Sequence, residues 1–443
     1  MRINLIYLLL FFCPFFTLSQ KYAYSPLSSQ GYGDPNPLNN GYFGAVGNTA
    51  YALADSTELN FLNPSTYSFL SKGQPLFSLG LSSQFSNFSQ SNATSKNNLF
   101  ALNYLAFGLS FSKNLGMCVG IKPFASTGYE LITNYYSASD TLSLKLNGSG
   151  GFSNSFLGLA YKFRFLDKHF LSFGYQFNYV FGQNLNEEIS TLPSAISGGV
   201  RQKALKIKSV MHDFGLTYKL VFNKSSNLIV GSSFTPKQNL SSTFTNTFSF
   251  ASDISNVLSQ DTLDNEIQNG NTTIPTAFNV GFRYDYIAFN KLNRNKTNVY
   301  QLQMMGDVKW RQWSEFRSLS STSSFENTIS YSGGIQFSPH YDFLDRASVI
   351  KFYSKLKYRF GAYYENLPWT MNNSKFVNKG FTLGLGIPIA SQRSLSSINI
   401  SCLIGSRTNN SSEALKEKYV SINFGVNIAP AIYDRWFRKG KID

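Results

Sequence analysis

The chain has 443 residues, of which 41 are Phe, 26 Tyr and 4 Trp, while only 14% are charged, against about 25% in ordinary soluble domains. Its 42% apolar content excludes a disordered chain, and three cysteines exclude a disulfide scaffold. With three histidines, a metal-cluster protein and most His-based enzymes are disfavoured, and no cofactor is expected.

Residues 1–19 read as a secretory signal: Arg2, the apolar run Leu5–Cys13, then small Thr17 and Ser19 before a cleavage point at Gln20. The run is too short to span a bilayer as a helix. Cys13 sits between Phe12 and Pro14, which do not suit a lipoprotein signal. The net charge is +15, to which Arg2 contributes one. In an exported chain that balance points to anionic lipid or an acidic solute, not nucleic acid. Residues 20–74 are polar and rich in Gly and Asn, with no clean strand; a helical stretch is expected over Thr49–Phe61. The natural use of such a segment is a plug inside, or a cap beneath, whatever follows.

From residue 75 the dominant signal is alternation of period two. Phe77, Leu79, Leu81 and Phe85 alternate with Ser78, Gly80, Ser82 and Gln84; Phe173, Tyr175, Phe177 and Tyr179 alternate with Gly174, Gln176 and Asn178. Such runs are longer than the five or six residues usual in soluble sandwiches, and spanning an outer membrane takes about 9–11 tilted residues. Fourteen strands are expected, at 75–87, 98–112, 117–126, 152–164, 169–183, 203–222, 227–250, 273–286, 299–313, 327–338, 353–366, 378–389, 397–406 and 418–428. Connections are mostly short on one side and long on the other, the pattern of periplasmic turns and extracellular loops. Pro236 interrupts the seventh strand, which leaves sixteen strands or a kinked one open, and 127–151 has room for a strand around Leu142–Leu146. The fold class is thus an all-β transmembrane antiparallel barrel of about 14 strands over 75–428, with an N-terminal hatch over 20–74 and a basic periplasmic tail over 429–443.

If apolar faces meet lipid, Lys162, Lys219, Arg283, Lys309, Arg311, Lys357 and Arg359 line the lumen, with Asp285 and Asp307. Lys or Arg at mid-depth on the lipid face would cost roughly 2–4 kcal/mol. These cations either attract an anionic head group or pair with the two acids in a structural network; both can hold. Arg201, Lys203, Lys206 and Lys208 face the outside, toward lipopolysaccharide or solvent. His212 and Asp213 are the one His–acid neighbour pair, but adjacent strand residues point to opposite faces. His169 and His340 fall near turns, and Cys118 and Cys402 read as small apolar fillers. No enzyme is expected.

Gly44-Ala45-Val46-Gly47-Asn48-Thr49-Ala50-Tyr51-Ala52-Leu53-Ala54-Asp55, followed by Asn63-Pro64-Ser65, resembles the N-terminal segment of FadL-type outer-membrane transporters. Ile274-Pro275, Asp307-Val308-Lys309-Trp310, Tyr358-Arg359-Phe360-Gly361-Ala362 and Gly380–Pro388 add matches in order along the chain. The resemblance implies a 14-stranded barrel in a Gram-negative outer membrane, plugged by a hatch in which Asn63 and Pro64 shape a turn. It implies uptake of long-chain fatty acids or other hydrophobic compounds, and a wall kinked in its third strand, where Pro123 either kinks the strand or simply ends it. Ser65 stands where the family usually has Ala, and the tail Asp434–Asp443 looks like those of Bacteroidetes-type relatives, some of which serve protein secretion. The alternative partner is therefore a secretion-system barrel, with this chain as a non-transporting subunit.

Overall fold

The computed structural model describes residues 25–35, 40–90, 93–136, 141–191, 198–251, 260–293, 296–320, 325–339, 351–371, 374–389, 396–409 and 415–429. The expected signal peptide, all but one residue of the expected tail, and His340 lie outside them. Nine strands make up the first half: β1 (Asp34–Pro35), β2 (Leu76–Gln90), β3 (Ala93–Ser110), β4 (Leu115–Ser126), β5 (Tyr129–Tyr136), β6 (Thr141–Leu166), β7 (His169–Thr191), β8 (Gly198–Asn223) and β9 (Ser226–Thr235). Nine more follow: β10 (Gln238–Ala251), β11 (Gln260–Ile274), β12 (Ala277–Asn293), β13 (Lys296–Arg311), β14 (Thr328–Ser338), β15 (Lys357–Met371), β16 (Ser374–Pro388), β17 (Ser397–Thr408) and β18 (Lys416–Ile428).

Fourteen of these close into an antiparallel barrel: β2–β4, β6–β9 and β12–β18, with β18 pairing β2 through Val420↔Phe85. The others are not members of the ring. β5 folds back on the far end of β6, β10 and β11 form a hairpin beside the start of β8, and β1 pairs the end of β4. Strands β6, β7 and β8 run 26, 23 and 26 residues. They therefore rise well past one rim and, with β5, β10 and β11, form a blade there.

The alternation is realised in three dimensions. Phe173, Phe282, Phe360 and Phe381 are 51%, 51%, 57% and 75% exposed, while the inward Ser172, Asn178, Thr382 and Asn423 are buried. In water such a surface would be inside out; around a lipid-facing barrel it is the required arrangement. Cys118 faces the lumen, buried, and Cys402 lies on the other face, half-buried; both are free.

Three expectations need correction. The break at Pro236 adds no barrel strand: β9 stays in the wall and β10 leaves it. Proline has no N–H for the ladder, and the Gln238 side chain substitutes, accepting from His212 N at 2.7 Å and donating to His212 O at 3.1 Å. Most of 251–272, expected as loop, is β11. Over 261–269 it is solvated on both faces, and it is held to β10 by Thr243–Asn269, Thr247–Asn265 and Asn239–Thr273 side-chain bonds, so no apolar alternation marks it. Thr49–Phe61 is not helical. Asn60 Nδ2 donates to Ala50 O and Leu53 O, and the Asp307 carboxylate accepts from Ala50 N at 2.6 Å. Side chains thus take the main-chain groups that a helix would have used. The strand around Leu142–Leu146 exists, as part of β6, and 287–298 is mostly strand.

Phe282→Arg on the lipid face is expected to destabilise the barrel by about 2–4 kcal/mol, whereas Phe222→Arg at the rim costs about 1 or less; denaturant titration in lipid vesicles measures both.

Candidate functional site

The N-terminal segment runs through the lumen. A 3-10 turn, Pro26–Ser29, is tied to the β4–β5 corner by Ser25 N to Gly128 O at 2.8 Å. Tyr32 then stacks on Phe124 and Trp313, with ring centroids 5.6 and 5.9 Å apart. Farther in, Gly44–Val46 packs against β14–β17. Pro64–Phe69, the third 3-10 turn after Pro26–Ser29 and Gly44–Val46, packs against β3, β4, β6, β7 and β8. Asn63 caps that turn and Pro64 opens it, the residue types such a start favours. Asn63 Nδ2 also donates to Tyr51 O at 2.7 Å and to Thr217 Oγ1 at 3.1 Å, so one buried side chain joins two parts of the segment to the wall.

Above this segment lies a chamber of about 290 Å³. Phe43, Asn48, Tyr51, Phe61 and Leu62 form its floor, and Tyr32, Phe124, Trp313, Trp369 and Ile274 its aromatic and apolar upper wall. Its charged groups are Asp34, Lys122, Asp213, Lys309, Arg311, Glu365 and Arg407. Several are partnered. Arg407 holds Asp34 at 2.8 Å and Glu417 at 3.6 Å. Lys309 donates to Asn48 O at 3.1 Å and stands 4.0 Å from Glu365. Asp213 accepts from Asn178 and Thr235. Lys122 lies over the Phe61 and Phe156 rings. Arg311 has no carboxylate within ion-pair distance among the described residues.

The seven basic residues proposed from sequence therefore divide. Lys309 and Arg311 line the chamber. Arg283, Arg359, Lys357, Lys219 and Lys162 lie on the short-turn side of the N-terminal segment. Arg283 grips Asp285 through Nε at 2.7 Å and Nη2 at 2.9 Å, with Asp55 4.0 Å from Nη1. Arg359, fully buried, donates to Gln336 at 2.6 Å and Asn399 at 2.7 Å and stacks 4.0 Å from the Tyr42 ring. Lys357 is within electrostatic reach of Asp55 and Glu58, and Lys219 of Asp285 and Asp55. Lys162 donates to Ser68 O at 2.9 Å and covers Phe69. Burial pushes the Glu58 carboxyl up against the pull of Arg359, Lys357 and the Asn399 amide. Burial opposes ionisation of Asp55 too, but Arg283, Lys357 and Thr57 together hold it below the usual carboxylate range. Asp307, expected to pair with a cation, instead receives the Ala50 and Tyr51 N–H groups.

The wall beside the chamber has a seam. β3 pairs β4 only from Leu105↔Ile121 to Ser110↔Gly116. Beyond that β3 stays on β2, and β4 stays on β6 with a register shift between Pro123 and Ala125. No ladder joins β3 and β4 above Ile121, and the freed edge of β4 receives Asp34 and Pro35 opposite Ser126 and Ala125. Pro123 and Phe124 at this edge line the chamber.

The sequence reading missed Tyr32, Asp34, Lys122, Trp313, Trp369 and Arg407. Face parity could have placed Lys122 and Arg407 inward, but the N-terminal residues and Trp313 carry no periodic signal, and Trp369 lies where the β15–β16 register shifts. His212 and Asp213 do point apart: His212 Nδ1 meets Tyr175 Oη at 2.8 Å on the outer face, while Asp213 faces the chamber. Among the described residues no cluster of His, Cys, Asp and Glu could hold a metal.

No curated protein matches the chain by sequence. Among solved structures, the Ralstonia pickettii toluene transporter TbuX is 14% identical, with a TM-score of 0.52 over 88% of this chain and 98% of its own. A monoaromatic hydrocarbon channel, the TodX deltaS2S3 mutant, is 15% identical at 0.51, again over 88% and 98%. A Pseudomonas aeruginosa FadL homologue is 10% identical at 0.50, over 89% and 98%. At such identities the likeness shows a shared fold: a FadL-type barrel of 14 strands. The sequence profile of the BamG family matches residues 1–443, and the chain belongs to the BamG family.

Proposed function

We propose that the protein sits in a Gram-negative outer membrane and takes up a hydrophobic small molecule with an anionic end, such as a fatty acid. The observation that carries this reading is the chamber itself: aromatic walls for an apolar body, and Arg311 beside them without a carboxylate partner among the described residues. A guanidinium binds a carboxylate through two parallel N–H groups, which fixes the head while the tail lies on Tyr32, Trp313 and Trp369. A solute enters past the aromatic loop residues, rests in the chamber and leaves through the β3–β4 seam beside Pro123. Binding through one or two cations is weak enough to permit release. The structural neighbours named for toluene or monoaromatic hydrocarbon transport support an apolar cargo. The catalytic alternative has no support in His212 and Asp213, which face opposite sides of the wall.

A second reading is favoured by two observations: the lumen is filled by the N-terminal segment, and the blade beside it ends at β11, whose outer edge is paired among the described residues only at Thr273↔Arg317. On this reading the chain is a non-transporting barrel subunit of a protein-handling assembly.

Extraction of the detergent-purified protein, followed by mass spectrometry against an unrelated barrel, separates the two. Uptake predicts a selectively retained apolar acid. Arg311→Ala is expected to weaken its retention at least about tenfold, the scale of a lost hydrogen bond to a charged group. Arg359→Ala is expected to leave retention intact, because Arg359 lies on the other side of the segment. An empty extract together with a stoichiometric co-purifying protein favours the second reading. For Arg283→Ala, loss of the Asp285 partner inside the barrel is expected to cost about 3–5 kcal/mol of stability, read by denaturant titration.

A further inference from the structure

The seam side of the chamber carries a polar pair that binding of a carboxylate at Arg311 does not use. Lys122 and Asn154 are register partners on β4 and β6, and both line the chamber. Lys122 is the first inward residue beyond Ile121, where the β3–β4 ladder ends. Its ammonium lies 5.6 and 5.4 Å from the centroids of the Phe61 and Phe156 rings, and its hydrogen bond to Phe61 O is long, at 3.4 Å. Among the described residues no carboxylate stands within ion-pair distance of it. Asn154 is held in one orientation by a chain of side chains. A carboxylate only accepts, so Asp213 Oδ2 takes Asn178 Nδ2, at 2.9 Å. Asn178 Oδ1 is then the acceptor for Gln176 Nε2 at 2.9 Å and for Asn154 Nδ2 at 3.0 Å. Gln176 is fixed in turn, because its Oε1 takes the Tyr67 hydroxyl. With Nδ2 committed, Asn154 is left with Oδ1, which has no hydrogen-bond partner among the described residues, on a side chain only 1% exposed. A buried acceptor left unpaired is costly, and one carried by a cavity wall calls for a donor from the cavity.

We propose that Lys122 and Asn154 form a hydroxyl-binding station, and that the cargo is an apolar acid with a hydroxyl group on its chain. Register partners on neighbouring antiparallel strands hold their Cβ atoms about 4.5–5.5 Å apart on one face. A ligand group that meets both residues must therefore accept from Lys122 and donate to Asn154 at nearly one point. A hydroxyl does both from a single oxygen. A ketone or ether oxygen only accepts, and leaves Asn154 unpaired. An ammonium only donates, and Lys122 repels it. A trans amide carries its N–H and C=O on opposite edges and meets one residue at a time. Around the hydroxyl, the chain lies on Phe61 and Met211, which also line the chamber. Arg311 stands on β13, six steps from β4 around the fourteen-stranded wall, so the acid and the hydroxyl are held on opposite sides of the chamber. The hydroxyl is thus remote from the carboxyl along the chain. The acid end of this proposal rests on the uptake reading; the hydroxyl end does not, because Lys122 and Asn154 act without Arg311.

The test uses the full chain, purified in mild detergent. The protein is equilibrated with an equimolar mixture of stearic acid and a positional series of monohydroxystearic acids, freed of unbound lipid by gel filtration, extracted and read by mass spectrometry beside an unrelated barrel. A site built to bond a hydroxyl discriminates against the analogue that lacks it. Isomers with the hydroxyl remote from the acid are expected to be enriched at least about tenfold over stearic acid, relative to the control barrel. Lys122→Met keeps the apolar stem and is expected to return the ratio to the control value, as is Asn154→Leu. Lys122→Met leaves the Asn154–Asn178 chain intact, and it decides alone if Asn154→Leu fails to assemble. Arg311→Ala is expected to lower retention of all the acids together without changing their ratio. Equal enrichment of stearic and hydroxystearic acids overturns the proposal. So does a preference that survives Lys122→Met, or one confined to isomers with the hydroxyl beside the acid. A mixture of octadecane and secondary octadecanols separates the station from the uptake reading. If no acid is retained, uptake of an acid fails, while alcohol enriched about tenfold over alkane, and no longer enriched in Lys122→Met, upholds the station. Alcohol and alkane retained alike, or neither retained, overturns it.

Discussion

Main chain inside a membrane barrel must have every N–H and C=O satisfied without bulk water, and this requirement governs the structure. The wall meets it by closing its own ladder. The irregular N-terminal segment cannot, so its partners have to come from elsewhere. Asn60 and Asn63 supply some from within, each bonding main-chain groups several residues away. Asp307, Ser172 and Thr382 supply others from the wall. For those short bonds to form, the wall must let the segment come close, and that is the physical reason for wall glycine. The chamber follows from the same constraint, because the segment fills the lumen at one level and leaves space above it.

This explains which parts of the fold could be read from sequence. The barrel is periodic, with alternate residues facing lipid or lumen, and Phe77–Phe85 or Leu171–Phe181 state that pattern plainly. The blade is less legible: apart from Leu263 and Ile267 the exposed part of β11 is polar on both faces, and its Asn–Thr ladder needs no apolar side. Pro236 is ambiguous on its own. What decides its effect is Gln238, whose side chain bridges to His212, and nothing local to the sequence announces that role.

The site was legible in part, for a related reason. Parity placed Lys309, Arg311, Arg283 and Arg359 inward, and all four do face the interior. Parity carries no information about height relative to a non-periodic segment. One predicted group of cations thus becomes two, divided by residues that were expected to form a helix. Asp307 shows the same limit. Its charge suggested an ion pair, but its neighbours in space include two peptide N–H groups from residues 50 and 51, more than 250 positions away.

The division also settles how an excess of positive charge is tolerated in a low-dielectric interior. On the short-turn side, Asp55, Glu58 and Asp285 stand among Arg283, Arg359, Lys357 and Lys219, and the first two acids come from the N-terminal segment itself. There the segment acts as counter-ion, so those cations are largely accounted for by structure. In the chamber the acids are already committed, Asp34 to Arg407 and Asp213 to Asn178 and Thr235. Arg311 is left half-buried beside aromatic surface, and a cation partly withdrawn from water beside apolar walls is stabilised most by an anion that brings its own apolar body. The same charges that look like one basic lumen in the sequence thus fall into two sets, and only the smaller one lines the chamber.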